Sequence, residues 1–239
     1  MDTIKEKLII TKTTNMDKNY LKQALLNTKI IFFDKDLSVE QKNTIKNIFE
    51  QIDTMTECEV LSCRYMNLEK LPNLPNCRTL FISNNKLKKL PNLPKLRKLI
   101  ASRNELENLP NLDLCSRLFI ENNKLKKFPD LPNVKTLICR ANKLTNLPEL
   151  PKCIKLVCSN NKLTNLPNLP VCKYLDCSYN NIKKLPKLPI IDTLITKGNA
   201  NLQINDDYYK YIDNALQNKE NKYYYKYSKY VYKYMQLNI

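Results

Sequence analysis

Residues 77–95 read Cys77-Arg78-Thr79-Leu80-Phe81-Ile82-Ser83-Asn84-Asn85-Lys86-Leu87-Lys88-Lys89-Leu90-Pro91-Asn92-Leu93-Pro94-Lys95. Written in lines of 19, the chain from Cys58 to Asn199 stacks in register on this stretch. One column holds Asn85, Asn104, Asn123, Asn142, Asn161, Asn180 and Asn199. Two places later stand Leu68, Leu87, Leu106, Leu125, Leu144, Leu163 and Ile182. A Pro column holds Pro72, Pro91, Pro110, Pro129, Pro148, Pro167 and Pro186. Self-similarity at a short fixed period marks a solenoid, in which each unit packs only on its neighbours.

Each line then has a local reading. Position one holds Cys58, Cys77, Leu96, Cys115, Val134, Cys153, Cys172 and Ile191. Position four is Leu in all eight lines, from Leu61 to Leu194, and position six holds Cys63, Ile82, Ala101, Ile120, Cys139, Cys158, Cys177 and Thr196. Positions four and six alternate, so both face one side of a short strand. One strand per line gives a parallel sheet, roughly 4.8 Å per strand and on the order of 35 Å long for eight strands. The Asn column is expected to form a ladder that satisfies backbone groups buried between coils. Met66 fills that slot in the first line, where one neighbouring coil is missing.

The return leg is Leu-x-x-Leu-Pro-x-Leu-Pro, as in Leu87 to Pro94. Pro lacks an N–H and pushes the residue before it to extended angles. Two such pairs per turn predict an extended, polyproline-like convex side with inward Leu. Asp113 in place of the second Pro and Phe128 in place of a Leu are single departures.

The pattern Leu-x-x-Leu-x-Ile-x-x-Asn-x-Leu-x-x-Leu-Pro-x-Leu-Pro resembles the short leucine-rich repeat family, in the type found in secreted bacterial effectors, with similar repeats in giant DNA viruses of protists. It covers about 60% of the chain. The 19-residue line is shorter than the effector-type repeat. The resemblance implies a leucine-rich repeat solenoid, an α/β-class horseshoe with its parallel sheet on the concave face, and a protein partner bound there.

Three parts follow: a mainly helical N-terminal cap over 1–57, the repeats over 58–199, and a Tyr/Lys-rich helical C-terminal cap over 200–239. In the first, Asp17 to Leu26 reads as helix. Ser38-Val39-Glu40-Gln41 has the form of a capping box, followed by Ile45, Ile48, Phe49 and Ile52 at helical spacing. The other reading of the Ile48-Phe49 pair is a recruiting motif such as a degraded F-box. In the last part, ten of the 14 Tyr fall between Tyr208 and Tyr234. Lys222, Lys226, Lys229 and Lys233 share one narrow helical face opposite a broad sector of Tyr223, Tyr224, Tyr227, Tyr230, Tyr234, Val231 and Met235.

Composition excludes much chemistry. The chain has one Gly, Gly198, and no His. Neither a Gly-rich phosphate loop nor a His-based triad or His-ligated metal site is available. The spacing of Cys153 and Cys158, repeated by Cys172 and Cys177, superficially resembles paired metal ligands. All nine Cys nevertheless fall in positions one or six, where other lines carry Leu, Ile, Val, Ala or Thr, so they read as small core residues. No metal, disulfide or cofactor is expected. No segment approaches the apolar length of a signal core or a membrane span, and the expected setting is a reducing cytoplasm, that of a host cell if the chain is viral.

The formal net charge is +17, of which residues 58–190 carry +15. Such a surface attracts polyanions over a Debye length of roughly 10 Å. AT-rich coding also produces Lys-rich chains. Lys86, Lys88 and Lys89 recur as Lys124, Lys126 and Lys127 and partly as Lys183 and Lys184, but Glu105 and Glu107 interrupt the track.

Position five faces out of the sheet and holds Ser62, Phe81, Ile100, Phe119, Ile138, Val157, Asp176 and Ile195. Six of the eight are apolar, so an exposed stripe is expected, and such patches mark interfaces. Position seven (Arg64, Ser83, Ser102, Glu121, Arg140, Ser159, Ser178, Lys197), with Arg103 and Tyr179 beside it, is expected to set specificity. The sequence thus points to a non-enzymatic scaffold binding an unknown protein, a host protein among the candidates. The alternatives are a Lys-rich polyanion or nucleic-acid binder and a substrate adaptor for a ubiquitin ligase. Some effector relatives carry a catalytic ligase in a separate C-terminal domain with a reactive Cys, but here no Cys follows Cys177.

Overall fold

The computed structural model describes residues 5–12, 14 and 17–203. These form one ten-stranded, all-parallel sheet in strict sequence order, β1 to β10. The repeats supply eight three-residue strands: β3 (Val60–Ser62), β4 (Thr79–Phe81), β5 (Lys98–Ile100), β6 (Arg117–Phe119), β7 (Thr136–Ile138), β8 (Lys155–Val157), β9 (Tyr174–Asp176) and β10 (Thr193–Ile195). Leu61, Leu80, Leu99, Leu118, Leu137, Leu156, Leu175 and Leu194 stand side by side across this sheet, each fully buried. The constant offset between partners leaves every coil in the same register, so a slip would move every inward side chain outward.

The N-terminal segment holds two helices and adds strands to them. Beside α1 (Lys18–Leu26) and α2 (Val39–Gln51) it holds two six-residue strands, β1 (Lys5–Ile10) and β2 (Thr28–Phe33). Strand β2 pairs with β3 through Ile30–Val60, Ile31–Leu61 and Phe32–Ser62. The segment therefore continues the sheet beyond the first repeat and covers the backbone edge of β3. The capping box at α2 is complete: Gln41 N donates to Ser38 Oγ at 3.1 Å, and Ser38 N donates to Gln41 Oε1 at 3.0 Å. Asp17 caps α1 by accepting from Tyr20 N at 2.7 Å. Ile48 and Phe49 are buried, Phe49 edge-on to Phe33 at 5.9 Å. The pair belongs to the core, which removes the recruiting-motif reading of it.

In the first coil Asn67 is an additional residue of positive φ; after each repeat strand, β3 to β10, the chain turns through one at a fixed slot: Tyr65, Asn84, Arg103, Asn122, Ala141, Asn160, Tyr179 and Gly198. The next residue is the ladder Asn. Asn104 Nδ2 donates to Ile82 O (2.9 Å) in the preceding coil and to Ala101 O (3.1 Å) in its own, and its Oδ1 accepts from Leu87 N (3.1 Å). The same bonds recur from Asn85 to Asn199. Met66 lies buried at the head of the ladder and gives its own N–H to Asn85 Oδ1 at 3.1 Å.

The convex return contains no helix among the described residues. Leu93, Leu112, Leu131, Leu150, Leu169 and Leu188 point inward and are buried, with Leu90, Leu109, Phe128, Leu147, Leu166 and Leu185 packed partly buried against them. At the departure from the Pro pattern, Asp113 O accepts from Asn133 Nδ2 at 2.8 Å, so the next coil holds that turn. The amphipathic stretch from Lys222 to Met235, and the rest of the chain beyond Gln203, lies outside the described residues.

Candidate interaction surface on the concave face

Positions three, five and seven of each line project to the side of the sheet opposite the core, because strand side chains alternate. The stripe at position five is not an exposed patch. Ile138 is 0% exposed, Ile100 2%, Val157 6% and Phe81 7%, while Phe119, Asp176 and Ile195 are partly buried. Ser62 at the head of the column is buried as well. Cations from the flanking slots account for part of this cover. Lys98 Nζ lies 4.8 Å from the centre of the Phe81 ring and the Arg64 guanidinium 5.9 Å from it, both within cation–π range. Lys155 Nζ sits 4.3 Å over Tyr174 in the same manner.

The face is consequently basic and partly desolvated. Burial pulls the Lys98 and Lys155 ammonium groups down from their ordinary range, and Arg117 and Arg64 add to the effect on Lys98. Burial likewise pushes the Glu121 carboxyl up, against the opposing pull of Arg140 and Arg103. Asp176 is engaged locally: one carboxylate oxygen accepts from Ser178 Oγ at 2.6 Å and from Ser178 N at 3.1 Å.

The polar residues picked from the sequence thus divide. Glu121 and Arg140 lie half-buried in the face, whereas Arg103 and Tyr179 stand exposed on its rim, at the positive-φ turn. Tyr65 occupies the same turn in the first coil, 44% exposed against 50% for Tyr179. Sequence reasoning passed over Tyr65 and position three (Thr79, Lys98, Arg117, Thr136, Lys155, Tyr174, Thr193). The signal for the latter was the two-residue alternation already used for position five. Within the repeats, the large aliphatic side chains that stand exposed lie elsewhere, just before the strands: Leu114, Ile154, Val171 and Ile190.

All nine Cys are free and fully buried. Burial raises their thiols, to about 11 at Cys115 and Cys172 and about 12 at Cys77, Cys153 and Cys177, and well up at the remaining four. Each position-one thiol reaches the carbonyl two residues on, as in Cys77 Sγ to Thr79 O at 3.3 Å. Among the described residues, no three His, Cys, Asp or Glu side chains are grouped to hold a metal ion. A groove of about 600 Å³ beyond the Asn column is lined by Lys124, Lys126, Lys127 and Lys143 with Glu107, Asn108, Thr145 and Asn146. Lys124 there is paired with Glu105 at 2.7 Å. Among the described residues, no helix is long and apolar enough to cross a membrane.

The serial parallel strands, the Asn ladder and the inward Leu columns make this chain a leucine-rich-repeat solenoid. A leucine-rich-repeat protein of Leptospira interrogans shares the fold, with a TM-score of 0.53 and 21% identity over 85% of this chain and 63% of that one. YopM, a leucine-rich effector protein of Yersinia pestis, is 33% identical over 59% of this chain and 49% of its own, with a TM-score of 0.49. The leucine-rich-repeat domain of a Shigella effector is 34% identical over 52% of this chain and 60% of that domain, also at 0.49. The chain thus spans about half of YopM and less than two thirds of the other two. No protein-family model and no curated protein matches the sequence.

Proposed function

We propose that the protein is a non-enzymatic scaffold that binds a protein partner across its concave face and the adjoining rim. One observation carries this reading: large side chains are held exposed where the backbone disfavours them. Each coil turns through positive φ at the same slot, where Asn or Gly is accommodated at least cost. Asn84, Asn122, Asn160 and Gly198 follow that preference, whereas Tyr65, Arg103 and Tyr179 do not. Tyr and Arg are the residue types that most often anchor protein interfaces. They border the face that holds the half-buried Arg140 and Glu121, and the columns behind them are nearly invariant from coil to coil. The framework therefore serves to display a varied surface.

The test is affinity capture with mass spectrometry, comparing the wild type with Tyr65→Ser and Arg103→Glu. Both sites are exposed, so folding is expected to be retained, and circular dichroism checks it. Proteins held specifically by the wild type are expected to be lost from the variants. An unchanged set of captured proteins sinks the reading. The polyanion alternative predicts instead that binding falls steeply with salt and responds to charge alone.

A further inference from the structure

Arginine is scarce in this chain and concentrated on one surface. There are 34 Lys but six Arg, and all six fall between Arg64 and Arg140. Four of them stand on the concave face or its rim: Arg117 at position three, Arg64 and Arg140 at position seven, and Arg103 at the positive-φ turn. The other two, Arg78 and Arg97, are exposed just before β4 and β5. Lysine, by contrast, is spread over all three parts of the chain. A coding bias that raises Lys everywhere does not account for where Arg falls.

The two cations differ in what they recognise. A guanidinium presents a planar fork that matches the two oxygens of a carboxylate, and it is more weakly hydrated than an ammonium. The face already puts this to use: Arg140 and Arg103 both act on the half-buried Glu121 carboxyl, against the upward push of its burial. The Arg64 guanidinium lies within cation–π range of the Phe81 ring. Burial pulls the Arg64 and Lys98 charges down from their ordinary ranges, and Arg117 and Arg64 add to the effect on Lys98. Like charges thus stand together, partly desolvated. Over the first five coils, Glu121 is the one carboxylate at positions three, five, seven and eight.

We propose that the concave face from β3 to β7 is a carboxylate-recognition surface, along which the partner lays an extended acidic segment of its own chain. That the segment belongs to a partner rests on the partner-binding reading, whereas the carboxylate preference of the surface does not. Five strands span about 19 Å, the length of roughly six extended residues. An anionic segment relieves the repulsion among Arg64, Lys98 and Arg117, and its carboxylates meet forks already shaped for them. Nucleic acid suits the surface less well. A base stacks on an open aromatic face, but Phe81 is only 7% exposed, with Lys98 and Arg64 over its ring, and Phe119 is partly buried.

Fluorescence polarisation with the full-length chain tests the preference. The probes are a labelled peptide of alternating Glu and Val, its Gln-for-Glu counterpart and a labelled oligothymidylate. The acidic peptide is expected to bind ~10-fold or more tightly than either of the others, a factor that corresponds to about 1.4 kcal/mol. Arg103→Gln combined with Arg117→Gln, both at exposed sites, should remove most of that advantage. Lys126→Gln combined with Lys127→Gln removes the same charge from the groove beyond the Asn column and should leave it unchanged. Equal loss from the Lys pair, equal binding of the Gln peptide, or equal or tighter binding of the oligothymidylate overturns the proposal. If the probes show no preference while Tyr65→Ser loses the captured proteins, the carboxylate surface falls and the partner-binding reading stands. If the preference holds but Tyr65→Ser and Arg103→Glu capture the same proteins as the wild type, the carboxylate surface stands and the partner-binding reading fails.

Discussion

The ring of Tyr179 lies against Gly198: a Cβ built on Gly198 falls 2.6 Å from Tyr179 Cδ1. The two residues occupy the same positive-φ slot in successive coils, with φ of 52° and 77°. The chain's single Gly thus stands where the preceding coil's aromatic ring leaves no room for a side chain. Tyr179 N also donates to Lys197 O at 2.6 Å, which joins the two turns by backbone.

Gly198→Ala is therefore expected to loosen the last coil, by about 1–2 kcal/mol from positive φ alone and more if the ring cannot swing away. In the Tyr179→Ala background the penalty should shrink to the backbone contribution. A double-mutant cycle by urea denaturation measures the difference. Equal effects in both backgrounds would mean that the contact carries no energy.

Removing a ladder Asn should cost more in the middle of the solenoid than at its end. Asn123 donates to Ala101 O, Ile120 O and Glu121 O and accepts from Leu106 N, all between covered coils. Each buried backbone group left unpaired costs about 1–3 kcal/mol. Asn123→Ala is expected to lose roughly 3 kcal/mol or more on that scale. Asn199→Ala should lose less, because Asn199 is only partly buried and water can take its place. Chemical denaturation of the two variants ranks them.

Ala141→Asn is expected to stabilise the protein. Ala141 adopts φ 54° at a slot where Asn84, Asn122 and Asn160 stand in other coils. Asn tolerates this region better than Ala, by a fraction of the roughly 1–2 kcal/mol that the left-handed conformation costs. A rise in thermal midpoint is the expected reading, and a fall would show that Ala141 is there for packing.

The thiols make stability fall in alkali. In the unfolded chain they ionise near pH 8.5. In the folded chain burial holds the ones with stated values at about 11 to about 12. The unfolded state releases protons first, so the thiol contribution is fully present below about pH 8.5 and is lost as pH rises through the folded values. Denaturation midpoints at pH 7.5, 9 and 10 are expected to decline in that order. At neutral pH a thiol reagent should react slowly with the native protein and reach all nine Cys after denaturation.

Much of the architecture was legible because it is periodic. A 19-residue repeat with fixed Leu, Asn and Pro columns dictates strand, turn and return for every coil at once. The capping box of α2 was legible for a local reason, since Ser38 and Gln41 need only each other. Strand β2 was not assigned, because Ile30 to Phe33 is a short apolar run that local pattern leaves ambiguous. Its partner, Val60 to Ser62, lies about 30 residues away. Of the candidate site, the outward direction of position five followed from alternation, but its solvent exposure did not.

The amino-acid sequence by itself determined that this protein is a solenoid, which side of each coil is core, and that its Cys are packing residues. Those properties depend on neighbours at fixed spacing along the chain. Only the tertiary structure decided that Ile100, Ile138 and Val157 are covered, that the N-terminal segment extends the sheet, and that Tyr179 rests on Gly198. Each of these depends on atoms brought together from separate coils, and burial is a property of such surroundings rather than of the residue.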